Sequence, residues 1–316
     1  MPDVTSYALH PEWGGYIVAY FYLGGIAAGA YFMAAIIELI GNPEDRALAR
    51  TAYYIAFPLV VICGILLILD LGRPERFWHM LIYSKAKMPI FKYWSPMSVG
   101  AWALLIFGGF TFLSFIDALV ESHQIKRGKG GERLIYTGFL GKGFAFIGSL
   151  FGFFIASYTG ALLTATNQPI WSQTSLLGAL FLASSASTGM AALLLIHNFR
   201  RHRIETRDGS PLQKLEQADN WTMLLELILI GLLIFTLGQN VAAPLIRGHY
   251  GKVLWVGVVL LGIVLPLILH AFPILGTRGS EVLAALLILL GGFLLRYVFV
   301  MAPQGLYFSF LKSLTH

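Results

Sequence analysis

The chain has 316 residues, of which 57% are hydrophobic and 12% are charged, and its formal net charge is +6. Soluble domains carry roughly a quarter of charged residues, so the composition excludes an ordinary soluble enzyme and favours a helical protein that crosses a membrane repeatedly. The excess positive charge then belongs to orienting loops and does not indicate a nucleic-acid partner. A single cysteine, Cys63, excludes an internal disulfide or a cysteine-ligated iron–sulfur cluster within this chain.

Eight apolar runs are long enough to cross the ~30 Å hydrocarbon core of a bilayer. They predict spans over residues 14–40, 51–70, 95–120, 142–165, 174–199, 220–240, 251–271 and 281–302. The loops between them are too short to build a soluble domain. The predicted fold is an all-α integral membrane protein with two four-helix bundles, residues 1–170 and 171–316.

The loops differ in basic charge from one side of the membrane to the other. Thirteen Lys and Arg residues fall on one side and eight on the other. Because basic loops stay in the cytoplasm, we predict a bacterial-type cytoplasmic (inner) membrane protein with both termini on the outer, periplasmic side. The loop between the second and third spans then also lies outside.

The first span combines aromatic and small residues. Tyr20 and Gly24 are one turn apart and share a face, while Gly25 and Gly29 form a small-xxx-small pair that lets helices approach closely. A second run of small residues, Ala183–Gly189, occupies the fifth span. This offset of four spans indicates two parallel halves, although small-residue runs also recur by chance in membrane helices.

The second span ends in a charged loop, Leu69-Asp70-Leu71-Gly72-Arg73-Pro74-Glu75-Arg76-Phe77-Trp78-His79. An acid beside arginines is costly near lipid, which indicates a function. The alternative is that Arg, Pro and Trp anchor the loop at the interface. The loop continues through Lys85, Lys87 and Lys92, a basic stretch that suits an acidic partner.

Tyr158, followed by Thr159 and Gly160, lies several residues inside the fourth span. A hydroxyl at that depth needs a partner, either a ligand or a neighbouring backbone carbonyl. If the first four helices form a bundle, Tyr20, Asp70 and Tyr158 converge near the outer surface. Such a group suits a quinone head, which needs hydrogen-bond partners for two oxygens and proton exchange during turnover.

Further polar residues inside the spans indicate a speculative proton path: Glu38, Asp117, Glu226 and Arg296. A row of such groups could relay protons across the membrane, which gives an alternative function as a proton-translocating or ion-transport module. Histidines suited to haem ligation are not paired at one depth inside the spans, and no metal-ligand spacing occurs. We therefore expect neither haem nor metal in this chain.

Four segments of the sequence resemble the NrfD/PsrC family, the integral membrane subunits of polysulfide-reductase-type complexes. They are Tyr22–Tyr31 in the first span, Asp70–Phe77 after the second, Tyr158–Gly160 with Pro169–Trp171, and Leu294–Val298 in the last span. They are spread over nearly the whole sequence. The Leu-Gly-Arg-Pro sequence at residues 71–74 is fairly specific, whereas the glycine-rich first span alone would be weak.

The resemblance implies a haem-free protein of eight to ten helices that binds a quinone or quinol near the outer face. It also implies a ferredoxin-like iron–sulfur subunit docked on that face, with a catalytic, often molybdopterin-containing subunit beyond it. Tyr158 matches the family's quinone-site tyrosine, and Asp70 with Arg73 matches its loop motif. Tyr20 stands where some relatives place a histidine, so Asp70, His79 and His10 become alternative proton carriers.

We predict a non-autonomous membrane subunit of a quinone-linked oxidoreductase, with menaquinone as the expected quinone. The predicted cofactor contacts are Tyr20, Gly24, Asp70, Arg73, Tyr158 and Thr159. The two tyrosines bond the ring oxygens, Asp70 exchanges protons with the outer surface, and Arg73 holds Asp70 ionised or stabilises the reduced ring. His79 is a second proton carrier. The alternatives are the transport module and a passive anchor that only holds soluble subunits.

Overall fold

The structure, a computed structural model, describes residues 13–41, 45–83, 88–122, 138–166, 169–200, 211–274 and 276–314. The helices are α1 Gly15–Ile40, α2 Arg46–Asp70, α3 Pro96–Glu121, α4 Gly138–Thr164, α5 Pro169–Ser172, α6 Leu176–Arg200, α7 Pro211–Ile246, α8 Gly248–Lys252, α9 Leu265–Ala271 and α10 Thr277–Leu314. A 3₁₀ helix, Pro74–Met80, precedes a two-residue hairpin of β1, Ile82–Tyr83, and β2, Met88–Pro89. Among the described residues, eight helical segments are long and apolar enough to cross a membrane. This confirms the predicted all-α membrane fold.

The sixth span begins earlier than predicted. Helix α7 starts at Pro211 instead of residue 220, and proline suits the first turn because its missing N–H has no helical acceptor there. The polar residues that suggested a loop, including Glu216 and Asp219, therefore lie on the helix. At its other end the span stops at Gly238, whose φ of 71° lies in the left-handed region that favours glycine.

The seventh span is a composite of three helical segments. Between α8 and α9, the residues Val253–Val264 form a π-helix, and the Leu265 N–H donates to the Leu260 carbonyl five residues earlier. Pro266 follows at the start of α9. A proline ring clashes with the carbonyl four residues before it, and the wider turn accommodates this proline inside the span.

Helices α1 and α6 cross at the centre of the molecule with almost no side-chain layer between them. A Cβ atom on Gly29 would overlap the Ser185 carbonyl oxygen, and one on Gly189 would lie 2.5 Å from the carbonyl carbon of Gly29. The two small-residue runs that resemble each other in sequence are therefore in contact. Small residues at both positions allow this approach.

The remaining helices pack on either side of this crossing. Helices α2 and α4 pack against α1, and α3 packs against α2 and α4. Helices α7 and α10 pack against α6, whereas α8 packs against α7 and α9 packs against α10. Helix α4 also contacts α6. Each of the two buried apolar clusters contains residues from both sides of position 170. Because the core does not separate there, the division into residues 1–170 and 171–316 stays a prediction.

The helix ends define two ends of the molecule. The Asp70 end contains the C-terminal ends of α2 and α4, the N-terminal end of α1, and the hairpin. There the buried Trp171 of α5 donates its indole N–H to the Phe299 carbonyl over 2.6 Å, which ties α5 to α10. We call the opposite end the His270 end. The assignment of the Asp70 end to the outer side of the membrane stays a prediction from loop charge.

Because the backbones of α1 and α6 touch, the stability of the protein should fall when one methyl group is added at the crossing. Gly29→Ala should destabilise the protein by about 1–3 kcal/mol, the usual cost of overpacking. Gly109→Ala on α3 is the matched control, because nothing lies within 4 Å of a Cβ there. The measurement is thermal unfolding in detergent, followed by tryptophan fluorescence. Equal melting temperatures for the two variants would contradict this account of the crossing.

Candidate functional site

Tyr20 of α1, Cys63 of α2 and Tyr158 of α4 meet inside the helix bundle. Their exposed fractions are 3%, 0% and 8%. The Cys63 thiol donates to the Tyr20 carbonyl over 3.7 Å, and the Tyr20 phenol interacts electrostatically with both Cys63 and Tyr158. At 1.5 Å per residue, all three lie about 8–10 Å inside their helix ends. The convergence of the two tyrosines thus matches the depth argued from the sequence.

Tyr158 is held in place by helix α3. Its hydroxyl donates to the Pro96 carbonyl over 2.7 Å, and its ring stacks on Phe154 with centroids 5.5 Å apart. Gly100 makes room for the phenol, since a Cβ atom there would overlap the hydroxyl and the ring. The sequence allowed either a ligand or a backbone carbonyl as the partner of the Tyr158 hydroxyl, and in the structure the partner is a backbone carbonyl. The hydroxyl oxygen keeps its lone pairs and can still accept a hydrogen bond.

The Tyr20 hydroxyl differs from that of Tyr158. Within the described residues, it makes no hydrogen bond, although the side chain is buried. Buried phenol hydroxyls usually find a partner. Gly24 lies one turn away, where a Cβ atom would make ordinary contacts of 3.6 Å to the Cys63 sulfur and 3.8 Å to the Tyr20 ring. The Tyr20 hydroxyl therefore has a proton that it can donate to a ligand.

Asp70, Arg73 and His79 lie at the surface of the Asp70 end, and all three are exposed. Asp70 ends α2 two turns beyond Cys63, about 10 Å along the helix. In the part of the sequence that is described, no ion pair joins Asp70 to Arg73. His79 places Nδ1 3.1 Å from the Arg76 carbonyl and stacks on Trp78. The structure thus separates these groups from the tyrosine pair.

Two further residues near Tyr158 differ from expectation. Thr159 is buried, but its hydroxyl donates to the Ala156 carbonyl in its own helix over 3.2 Å. Cys63, in contrast, touches the site and was considered in the sequence only as an unpaired cysteine. The only sequence signal for Cys63 was its position two turns before Asp70, on the same helix.

The loop after α2 forms an exposed aromatic surface at the Asp70 end. Its exposed large apolar residues include Phe77, Trp78, Tyr83, Met88, Phe91, Tyr93 and Trp94. The loop is fixed to α3 because the Trp102 indole N–H donates to the Ile90 carbonyl over 2.9 Å. Arg73, Arg76 and Lys92 add exposed positive charge. The predicted contributors Lys85 and Lys87 lie outside the described residues, as does His10, the alternative proton carrier.

The four residues of the speculative proton path belong to two different places. Glu38 lies on α1 and the buried Asp117 on α3. Glu226 and Arg296 are buried together between α6, α7 and α10, where they interact electrostatically. Asp219 lies near Glu226 in the structure. The predicted sixth span begins at residue 220, so the sequence predicts a loop at Asp219, whereas the structure places it on α7.

A cavity of about 260 Å³ lies away from the tyrosine pair, at the His270 end. Its lining is mainly apolar and includes Ile37, Leu48, Lys214 and Ala218. Across the described ranges, no group of three His, Cys, Asp or Glu residues is placed to hold a metal ion.

Eight spans with an embedded tyrosine pair under a charged loop define a multi-pass membrane protein with a polar site near one face. The chain belongs to the NrfD family, because residues 5–307 match the family model described as Polysulphide reductase, NrfD. The family expected from the four sequence segments is thereby confirmed.

Individual relatives agree with this assignment. The protein is 28% identical over 311 residues to the C chain of polysulfide reductase from Wolinella succinogenes, a match that covers 92% of this protein and 94% of that relative. It is 27% identical over 318 residues to the NrfD homolog of Haemophilus influenzae, with 92% and 94% covered. A shorter match of 84 residues, 36% identical, joins it to the C subunit of selenate reductase from Mesobacillus selenatarsenatis, covering 26% and 19%.

Because Gly100 packs directly against the Tyr158 ring, the effects of substitutions at these two positions on stability should depend on each other. Gly100→Ala should destabilise the protein by about 1–3 kcal/mol, because the added methyl overlaps the phenol. In a Tyr158→Ala background the same substitution should cost little, since the ring is gone. Thermal unfolding of the two single variants and the double variant measures this coupling. A cost of Gly100→Ala that persists without the ring would show that the ring is not its cause.

Proposed function

We propose that this protein is the membrane-anchor subunit of a multisubunit oxidoreductase and that it binds a quinone or quinol between Tyr20 and Tyr158. The observation that supports this most directly is the unbonded Tyr20 hydroxyl beside the anchored Tyr158. Relatives whose names make them subunits of polysulfide and selenate reductases support the complex. With one cysteine, the protein does not itself ligate a cysteine-bound iron–sulfur cluster, so electrons must be exchanged with a partner.

The two tyrosines have different roles in this proposal. Tyr20 donates its hydroxyl to one ring oxygen. Tyr158 donates its own proton to the Pro96 carbonyl, so its oxygen accepts a hydrogen bond from the other ring oxygen when that oxygen carries a proton, as in the quinol. A bound quinone supplies two-electron chemistry coupled to two protons. The protein orients the head group, and the surrounding apolar helices accommodate an isoprenoid tail. Menaquinone is the quinone we expect.

Proton exchange belongs to the surface of the Asp70 end. Asp70 is an exposed carboxylate at the end of the same helix that carries Cys63. The distance of about 10 Å along that helix exceeds a hydrogen bond, so water must complete the path between Asp70 and the head group. His79, also exposed, is the second carrier. Arg73 acts here through its charge, without an ion pair to Asp70.

The same end is suited to docking. Exposed Phe91, Tyr93 and Trp94 provide an apolar contact area, and aromatic residues are enriched at protein interfaces. Arg73, Arg76 and Lys92 add positive charge that favours an acidic partner. We assign this surface to a ferredoxin-like iron–sulfur subunit, with a catalytic, often molybdopterin-containing subunit beyond it.

The proposed site predicts the effect of removing one hydroxyl. Tyr158→Phe should reduce quinol turnover of the assembled complex by about tenfold or more, equivalent to about 1.4 kcal/mol in activation free energy. The matched control is Tyr54→Phe at the His270 end, whose hydroxyl also donates to a backbone carbonyl, that of Ala118, over 2.9 Å. Its turnover should be unchanged.

The measurement is steady-state quinol oxidation by purified complexes that hold equal amounts of each subunit. Unchanged turnover in an assembled Tyr158→Phe complex would reject Tyr158 as a quinone ligand. A passive anchor would show no loss in either variant.

The partner assignment predicts the composition of the native complex. Purification of this protein from native membranes in mild detergent should bring along a multi-cluster iron–sulfur protein, identified by mass spectrometry. Removing the charge of Arg73, Arg76 and Lys92 together should weaken that association, because the docking surface loses its positive charge. A protein that purifies alone from native membranes would leave no route for electrons and would contradict the proposal.

A further inference from the structure

The quinone proposal leaves three buried ionisable residues without a role. Asp219 and Glu226 lie on α7 and Arg296 on α10, and their exposed fractions are 0%, 4% and 0%. Charged groups inside a membrane protein are costly to bury and are kept mainly for function. The contacts of these three residues indicate what that function is.

Arg296 is surrounded by oxygen atoms, most of them from helix α6. Its Nη1–H donates to Ser184 Oγ over 2.5 Å and to the Gly292 carbonyl over 3.0 Å. Its Nη2–H donates to Ser185 Oγ over 3.1 Å. Ser184 also forms a side-chain hydrogen bond with Glu226. The Ser184 hydroxyl therefore connects the Arg296 guanidinium to the Glu226 carboxylate. The positive charge of Arg296 and the negative charge of Glu226 compensate each other.

Asp219 lies two turns from Glu226 on the same helix, about 10 Å along the axis. Its Oδ1 accepts hydrogen bonds from Ser187 over 2.7 Å and from Thr222 over 3.4 Å. Its Oδ2 is fully buried and has no hydrogen-bond partner within the described residues. An ionised carboxylate with one unsatisfied oxygen carries a large desolvation cost.

The charge balance of the cluster is incomplete. Arg296 interacts electrostatically with Glu226, whereas Asp219 interacts with Glu226 and Glu216, so the negative charge of an ionised Asp219 has no counterion among these groups. A proton on Oδ2 of Asp219 removes that charge and needs no additional ligands. A metal ion would need several oxygen ligands, and the described residues contain no group of three suitable side chains. The arrangement therefore favours a proton as the bound species.

A line of polar side chains leads from Asp219 toward the His270 end. Asn220 Oδ1 lies 2.6 Å from His270 Nδ1, and His270 Nε2 lies 3.8 Å from Glu216 Oε1. The Glu216 side chain is 25% exposed and interacts electrostatically with Asp219 and Glu281. Glu216 thus links the surface of this end to the buried carboxyl group.

The other end of the line is closed by helix α1. A Cβ atom on Gly25 would lie 3.1 Å from Arg296 Nη2, and Tyr22 interacts electrostatically with Arg296. Tyr20 and Gly24 of the proposed quinone site are on the same helix, facing Cys63. The polar line therefore reaches α1 without entering the tyrosine pair.

We propose that Asp219 and Glu226 form a proton-exchange site that opens to the His270 end, separate from the quinone site. A proton from bulk water passes through Glu216 and His270 to a carboxylate of the pair, and it leaves by the same groups in reverse. Arg296 keeps the second carboxylate ionised. No electron transfer is part of this step, so the site operates whether or not a quinone is bound.

Infrared spectroscopy of the full-length protein in proteoliposomes tests this proposal. The C=O stretch of a protonated carboxyl should grow as the pH on the His270 side is lowered, and it should not respond to the pH on the Asp70 side. Asp219→Asn should remove this band, and Glu226→Gln should reduce it at a given pH, because the negative charge that disfavours an ionised Asp219 is gone. Glu75→Gln, which alters an exposed acid at the Asp70 end, should leave it unchanged.

Two further measurements test whether His270 carries protons and whether the quinone site is independent of Asp219. His270→Asn should slow band formation after a pH jump without removing the band, whereas a purely structural His270 would leave the rate unchanged. Quinone-analogue binding by the same preparation should be unaffected in Asp219→Asn, so the quinone proposal is tested independently. A band that persists in both carboxyl variants, responds to the Asp70 side, or requires sodium ions would overturn the proton-exchange site.

Discussion

The close crossing of α1 and α6 is the constraint on which the rest of the structure depends. Gly29 and Gly189 let two backbones touch, and α1 consequently runs through the centre of the molecule instead of along its edge. One face of α1 then carries Tyr20 and Gly24 toward α2, and another carries Gly25 toward Arg296. A bulkier crossing would move both faces, so one packing contact positions two chemically distinct environments.

The tyrosine pair and the charged cluster between α6, α7 and α10 compensate the cost of burying polar groups in different ways. The tyrosine pair consists of neutral groups that need only hydrogen bonds, and one of these is provided by the Pro96 carbonyl. The α6–α7–α10 cluster contains charges, and the serine hydroxyls of α6 replace the water that these charges would otherwise require. The serine-rich run of α6 is therefore both a packing surface, through Gly189, and a polar lining.

The sequence was sufficient for the spans and for the depth of the tyrosines, because apolar length and position along a helix fix both. It failed at Asp219, since the polar stretch before residue 220 suggested a loop, and only packing against α6 keeps that stretch helical and buried. Within the described residues no ion pair joins Asp70 to Arg73, since adjacency in a loop does not set side-chain direction, and the role of Arg73 beside Asp70 or the reduced ring stays a prediction. For Cys63 the sequence offered only its position two turns before Asp70, because its place in the site depends on contacts from another helix.

The π-helix of the seventh span makes the position of His270 depend on the number of residues before it. A π-helix holds more residues per turn than an α-helix, in which each residue turns the backbone by about 100°. The same residues wound as an ordinary helix would therefore rotate α9, and His270 would point away from Asn220 and Glu216. Removing one residue from Val253–Val264 would instead let this segment relax to an ordinary helix with α9 kept in place. The wider turns thus accommodate an additional residue in the seventh span without moving the histidine.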